Sequence, residues 1–223
     1  MLVGRSEGKL KETLGRLSAK SGLAQFVAEA TDEAATAAAV EATVKAFGGV
    51  DVLYANAGTE GFLKPIETYS RREFEDVLHT NVTGVWLAIK HCIPLMKQRG
   101  KGSIIATASV AGVIGFANSS PYIASKHAVC GLVKAAALEL SPLGIRVNAV
   151  APGAIDNRMF QSVVEQLAPQ NAAAVRDAIQ GSIPMKRYGT NEEIAKLVTF
   201  LASDDASYTT GAIYLADGGL TTG

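Results

Sequence analysis

Short apolar runs alternate along the chain with longer stretches in which apolar residues recur every three or four positions. The first kind reads as strands and the second as helices with one buried stripe. Leu2-Val3 is the stub of a first strand, and Ser6 caps a helix carrying Leu10, Leu14 and Leu17 at helical spacing. Residues 24–28 form a short strand; Thr31 or Asp32 caps a helix to Phe47, which Gly48-Gly49 ends. Residues 50–55 form a strand that closes on Asn56-Ala57-Gly58. A helix starts near Ser70 and continues, after a break, to Lys97. Then come a strand at 103–107, a helix at 120–140 and a strand at 146–150. Polar helices fill 157–180, a helix covers 191–202, and 212–216 is a last strand.

The runs VLYANA, IIAT and VNAV show little polar alternation, as strands covered on both faces do. Strand–helix alternation throughout predicts an α/β fold with a doubly wound parallel sheet. No linker or charge block divides residues 1–223, so the chain reads as one domain; an eight-unit barrel needs more strand–helix units than it has.

Composition narrows the function classes. Basic and acidic side chains balance at 21 each, which argues against a nucleic-acid binder. No apolar run approaches the ~18 residues of a membrane span, and the charged start MLVGRSEGKLKE lacks a signal-peptide core. Cys92 and Cys130 are too few for a disulfide scaffold, so a cytoplasmic location is expected. His79, His91 and His127 have no metal-ligand spacing, so no metal site is expected. Gly4-Arg-Ser-Glu-Gly-Lys9 is one residue short of a phosphate loop and lacks its Ser/Thr.

The chemistry concentrates at the strand ends. Tyr122 and Lys126 lie four residues apart on one helix face, where an ammonium could lower the phenol pKa for proton transfer. Ser109 follows a strand, as do Asn56-Ala57-Gly58 and Pro152-Gly153, and Asn81 interrupts a helix. In an open α/β sheet the carboxyl ends of the strands are where ligands bind. Ser109 with Lys126 could suggest a hydrolase, but no oxyanion loop is evident and the tyrosine would go unexplained.

In order and spacing, Asn56-Ala57-Gly58, Asn81, Ser109, Tyr122-Ile-Ala-Ser-Lys126, Pro152-Gly153 and Asp217-Gly218-Gly219 resemble the short-chain dehydrogenases/reductases across nearly the whole chain. The resemblance implies an oxidoreductase that interconverts an alcohol and a carbonyl by hydride transfer. Tyr122 would be the acid/base and Ser109 the substrate hydrogen-bonding group. Lys126 would depress the tyrosine pKa and hold the nicotinamide ribose, and Asn81 would support a proton-relay water. Asn56, Ala57, Gly58, Pro152 and Gly153 would line the cofactor, with Ile155 and Asn157 beside the nicotinamide; the family often has threonine in place of Asn157. Glu29 stands where the family usually has an adenine-contacting aspartate. Gly4 and Arg5 replace the acidic residue that selects NAD, and a guanidinium suits a 2′-phosphate, so NADP(H) is expected over NAD(H). Apolar residues on several helix faces, with Phe200, Leu201 and the last strand, lead us to expect a homodimer or homotetramer.

The chain also departs from the family. The strand and glycine-rich turn (Thr-Gly-x-x-x-Gly-x-Gly) that cradle the pyrophosphate are not in the sequence, and Met1 stands where the second family strand is under way. One unit, about 25–30 residues of a βαβ motif, is expected to be missing. Two readings follow: an oxidoreductase, or a catalytically silent relative that binds small molecules or assembles with partners. At the vacated position three outcomes are open: Leu2-Val3 slides over to pair with the strand at 50–55, the first unit is loosely ordered, or another chain fills the gap; the slide is the favoured expectation.

Overall fold

A computed structural model describes residues 1–17 and 21–222. The elements arise where the pattern puts them, and local side chains fix their ends. The Ser6 hydroxyl accepts the Lys9 amide at the start of α1 (Glu7–Arg16), and Asp32, not Thr31, accepts the Ala35 amide at the start of α2 (Glu33–Phe47). Reciprocal Ser70–Glu73 and Thr190–Glu193 hydrogen bonds open α3 (Arg71–Leu78) and α8 (Asn191–Ala202). Gly48 ends α2 in the left-handed region at φ 78°. The expected break before Lys97 is a π-turn, His79–Thr83, between α3 and α4 (Gly84–Arg99).

Four parallel strands form the main sheet in the order β3 (Val52–Ala55), β4 (Gly102–Thr107), β5 (Ile145–Pro152), β6 (Ile213–Ala216). Its faces bury different partners because side chains alternate along each strand. Ile104, Ala106, Val147 and Ala149 pack with α4 and with α5 (Ser120–Leu140); Ile105 and Val150 pack with Ile194 and Leu201 of α8. Helices thus cover both faces, as a doubly wound fold requires. Asn148, fully buried, donates to the Thr209 carbonyl and accepts from the Ala212 amide, fixing the approach to β6.

Strands β1 (Leu2–Gly4) and β2 (Gln25–Val27) form a separate parallel pair. The expected slide of Leu2-Val3 onto the strand at 50–55 therefore does not occur: β1 keeps its pairing with β2. The Leu2 amide donates to the Ala24 carbonyl at 2.8 Å and the Ala28 amide to Gly4 at 3.1 Å. Helix α1 bridges the two strands and seats Leu10 against Gly4, so sliding would break a closed strand–helix–strand unit. Helix α2 leans on α4, and ahead of α2 the Ala30 carbonyl oxygen would lie 3.2 Å from a Cβ at Gly84. The far edge of β3 stays open, with Val52 43% and Tyr54 38% exposed.

Candidate active site

The carboxyl ends of β3, β4 and β5 and the first turns of α5 bring together Asn81, Ser109, Tyr122 and Lys126. Pro121 at the start of α5 presets the helical backbone, and Tyr122 and Lys126 fall one turn apart on the face toward β4. The Lys126 Nζ donates to the Thr107 carbonyl at 2.8 Å and lies 5.6 Å from the centre of the Tyr122 ring. Burial pulls the Lys126 pKa down to about 8, against a smaller opposing contribution from Cys130.

The sequence suggested that Lys126 would hold the Tyr122 phenol below its ordinary value. The opposite direction is found. Burial raises the Tyr122 pKa, the Ser109 hydroxyl offsets part of that, and the Glu60 carboxylate adds to the rise. The ammonium is turned toward the Thr107 carbonyl and is itself resisted by burial, so its charge does not govern the phenol.

Asn81 is fully buried in the π-turn. Its Oδ1 accepts the Thr59 amide at 2.8 Å, and its Nδ2 donates to the Thr59 carbonyl and the Ser125 hydroxyl, each at 2.9 Å. Both amide protons are thus committed, and the side chain braces β3's exit loop against α5. Ser125 passes the link on by donating to the Tyr122 carbonyl at 2.7 Å. A relay water at Asn81 would have to use its backbone carbonyl. Ser109 caps a short turn by accepting the Ala111 amide at 3.2 Å, and its hydroxyl sits 3.5 Å from the Pro152 carbonyl.

The residues expected to hold a cofactor divide into two groups. Asn56 Oδ1 accepts the Thr107 hydroxyl at 2.8 Å, next to the carbonyl that takes Lys126. Ala57 and Gly58 follow, and a Cβ at Gly58 would stand 3.4 Å from Asn81 Oδ1 and 3.7 Å from Lys126 Nζ. Gly153 has a packing reason to be glycine: a Cβ there would come 2.8 Å from the Asp217 Cα. Ile155 turns its side chain into the core against Gly189, so only its backbone remains to face a ligand. Asn157 caps α6 (Arg158–Leu167) by accepting the Phe160 amide at 3.0 Å. The second group, Arg5 and Glu29, lies at the ends of β1 and β2. They pair with each other at 3.7 Å, with side chains 79% and 45% exposed.

A nicotinamide dinucleotide fits the first group: Lys126, one carbonyl bond made, keeps further donor protons beside the open Gly58 backbone. The described residues contain no glycine-rich turn of the family's spacing for its pyrophosphate. Among them, no group of three or more His, Cys, Asp or Glu could hold a metal ion, and no helix is long and apolar enough to cross a membrane.

Sequence reasoning missed Ser125, Thr107 and Thr59, which hold the site together, and Gln166, which reaches it from α6. Its Oε1 accepts the Leu63 amide at 3.0 Å and its Nε2 donates to the Gly61 carbonyl at 3.2 Å. Ser125 lay inside the recognised Tyr-Ile-Ala-Ser-Lys run; the others carried no local signal.

The fold and this cluster define a dinucleotide-type α/β oxidoreductase. The chain belongs to the short-chain dehydrogenase/reductase family: a family model described as enoyl-(acyl carrier protein) reductase matches residues 1–221. It is 42% identical over 193 residues to levodione reductase of Leifsonia aquatica, covering 86% of this chain and 72% of that protein. A crystal structure of levodione reductase superposes with a TM-score of 0.97 at 38% identity, covering 99% of this chain and 87% of that one. An NAD⁺-bound xylitol dehydrogenase gives 0.93 at 35% identity, covering 98% and 87%.

Proposed function

We propose that the protein interconverts an alcohol and a carbonyl, with Tyr122 as the proton-transfer group. The observation that carries this reading is the convergence of Tyr122, Ser109 and Lys126 on one edge of the sheet, braced by Asn81 through Thr59 and Ser125. A bound nicotinamide dinucleotide would supply or accept the hydride. The Tyr122 hydroxyl donates a proton to the carbonyl oxygen in reduction and takes it back in oxidation. A phenol held above its ordinary value stays protonated at neutral pH, the form in which it can serve as the proton donor of reduction. Ser109 offers its hydroxyl to the same oxygen. Lys126 holds the cofactor ribose with the donor protons it keeps beside Gly58.

We assign the cofactor preference, NADP(H) over NAD(H), to Arg5, whose guanidinium is largely exposed and, among the described residues, held only by a long pair with Glu29. We also propose assembly into a homodimer or homotetramer in the cytoplasm, through Trp86 of α4, Leu138 of α5, and Phe200 and Leu215, all exposed.

The test is Tyr122→Phe, assayed for carbonyl reduction with both cofactors. The ring still packs and only the transferable proton is lost, so turnover should fall by about a hundredfold or more with the melting temperature kept. A variant with wild-type kcat would overturn the assignment. The silent reading draws on the sequence's lack of the glycine-rich turn; it requires that neither NADPH nor NADH binds, which a fluorescence titration reads directly.

A further inference from the structure

The segments that leave β3 and β5 meet across the end of β4. In the sheet β4 lies between the other two, so their exits start about 10 Å apart, two strand spacings. The end of β4 touches both: the Thr107 hydroxyl donates to Asn56 Oδ1, and the Ser109 hydroxyl lies 3.5 Å from the Pro152 carbonyl. The β3 exit loop is pinned along its length. Asn81 takes the amide and carbonyl of Thr59, and the Lys64 amide donates to the Asn118 carbonyl at 2.8 Å, just ahead of α5. Between them Gly61 adopts φ 68°, where a Cβ would come 2.6 Å from a Val77 methyl. From the last turn of α6, which follows β5, the Gln166 Oε1 accepts the Leu63 amide at 3.0 Å and its Nε2 donates to the Gly61 carbonyl at 3.2 Å. An amide serves both backbone groups in this one orientation; a carboxylate only accepts, and a hydrocarbon does neither.

We propose that Gln166 is a positioning residue that closes the entrance to the Ser109–Tyr122 site, tying the end of α6 to the β3 exit loop and admitting slim substrates over bulky ones. The inference rests on the alcohol–carbonyl reading above, which places the reaction at Ser109 and Tyr122. Both bonds of the tie are neutral and only partly buried, so water can replace them and the closure is reversible. The loop side is fixed at Thr59, Gly61 and Lys64. The side that gives way is the end of α6, where Leu167 is 45% exposed.

Access is read without turnover. Ser109→Cys places a thiol at the site, and Cys92 and Cys130 are buried, so the unmodified chain gives the background. The thiol is alkylated with iodoacetamide and with the bulkier fluorescein maleimide, each rate taken relative to free cysteine. The ratio of the two cancels the thiolate fraction. With Gln166 in place the bulky reagent should be disfavoured about tenfold, and Gln166→Met should remove most of that, the scale of two neutral hydrogen bonds. Gln166→Glu separates the tie from packing. At neutral pH it should open the entrance as Gln166→Met does. As pH falls toward about 4.3, the ordinary glutamate value, the protonated carboxyl donates to Gly61 while accepting from Leu63, and the closure should return. No size preference with Gln166 in place, an unchanged ratio in Gln166→Met, or a Gln166→Glu ratio indifferent to pH overturns the proposal. Reduction of cyclohexanone is followed by nicotinamide absorbance. Gln166→Met should alter KM and keep kcat within about twofold, because Gln166 touches no reacting group; a fall in kcat alone overturns that role. Absence of turnover in the wild type would sink the alcohol–carbonyl reading, while the labelling ratio still decides the role of Gln166.

Discussion

Lys126 should make the folded protein less stable at neutral pH than a neutral side chain of its length would. The residue is 4% exposed and, among the described residues, its ammonium has one hydrogen-bond partner, the Thr107 carbonyl. Burial lowers its pKa from 10.5 to about 8, a resistance to the charge worth about 3 kcal/mol. A cationic group with a depressed folded pKa carries this penalty in full below the folded value. As pH rises from about 8 toward 10.5 the folded state sheds its proton first, the unfolded chain holds more protons, and stability rises. Lys126→Met removes the charge but leaves the Thr107 carbonyl without its donor, at a cost of about 1–3 kcal/mol. The variant should therefore be about 1 kcal/mol more stable near pH 7, and about 1 kcal/mol less stable near pH 10, than the wild type.

Urea unfolding of both proteins at the two pH values measures this, read as a difference. Other groups also titrate at high pH: burial pushes the Cys92 thiol up to about 11, so its contribution declines as pH rises through roughly 9 to 11. That change is common to both proteins and cancels. A wild-type-minus-variant difference that stays constant between the two pH values would show that Lys126 carries no buried-charge penalty. The variant should also lose turnover, so the crossover would place a cost in stability at the residue that catalysis requires.

Arg5→Ala should weaken NADPH by roughly fivefold more than NADH, the modest scale of an exposed charge pair; equal weakening of both would remove Arg5 from the 2′-phosphate. Gly112→Ala should lower stability by about 1–3 kcal/mol in thermal melts. Its Cβ would come 2.7 Å from the Cys130 sulfur and 2.8 Å from the Lys126 carbonyl oxygen. An unchanged melting temperature would mean that α5 moves aside freely. Light scattering at micromolar concentration should give twice or four times the mass of one chain, and a monomer would leave Trp86 and Leu138 without the proposed cover.

Much of this architecture was legible because its signals are local. Ser6, Asp32, Ser70 and Thr190 announce helix starts within one turn, and Gly48 announces an end. The proposed acid/base pair was legible for the same reason: Tyr122 and Lys126 are neighbours on one helix. The pairing of β1 was misread because an open edge on β3 was weighed, while the hydrogen bonds already closing β1 onto β2 were not visible in composition or spacing.

The direction of the Tyr122 pKa shows where local reading fails on chemistry. Spacing shows that an amine lies one turn from a phenol, but not how much water either retains or where the amine points. Here burial acts against the charged form of both groups, and the Thr107 carbonyl draws the ammonium away. The residues that set these conditions come from distant parts of the chain. Thr59 meets Asn81 across 22 positions, Asn81 meets Ser125 across 44, and Gln166 meets Leu63 across 103. Asn81 was expected to support a relay water; its side-chain amide protons go to Thr59 and Ser125, which leaves its backbone carbonyl for such a water. The types of the proposed reacting groups are therefore written locally, while their protonation states depend on contacts that exist only once the sheet has assembled.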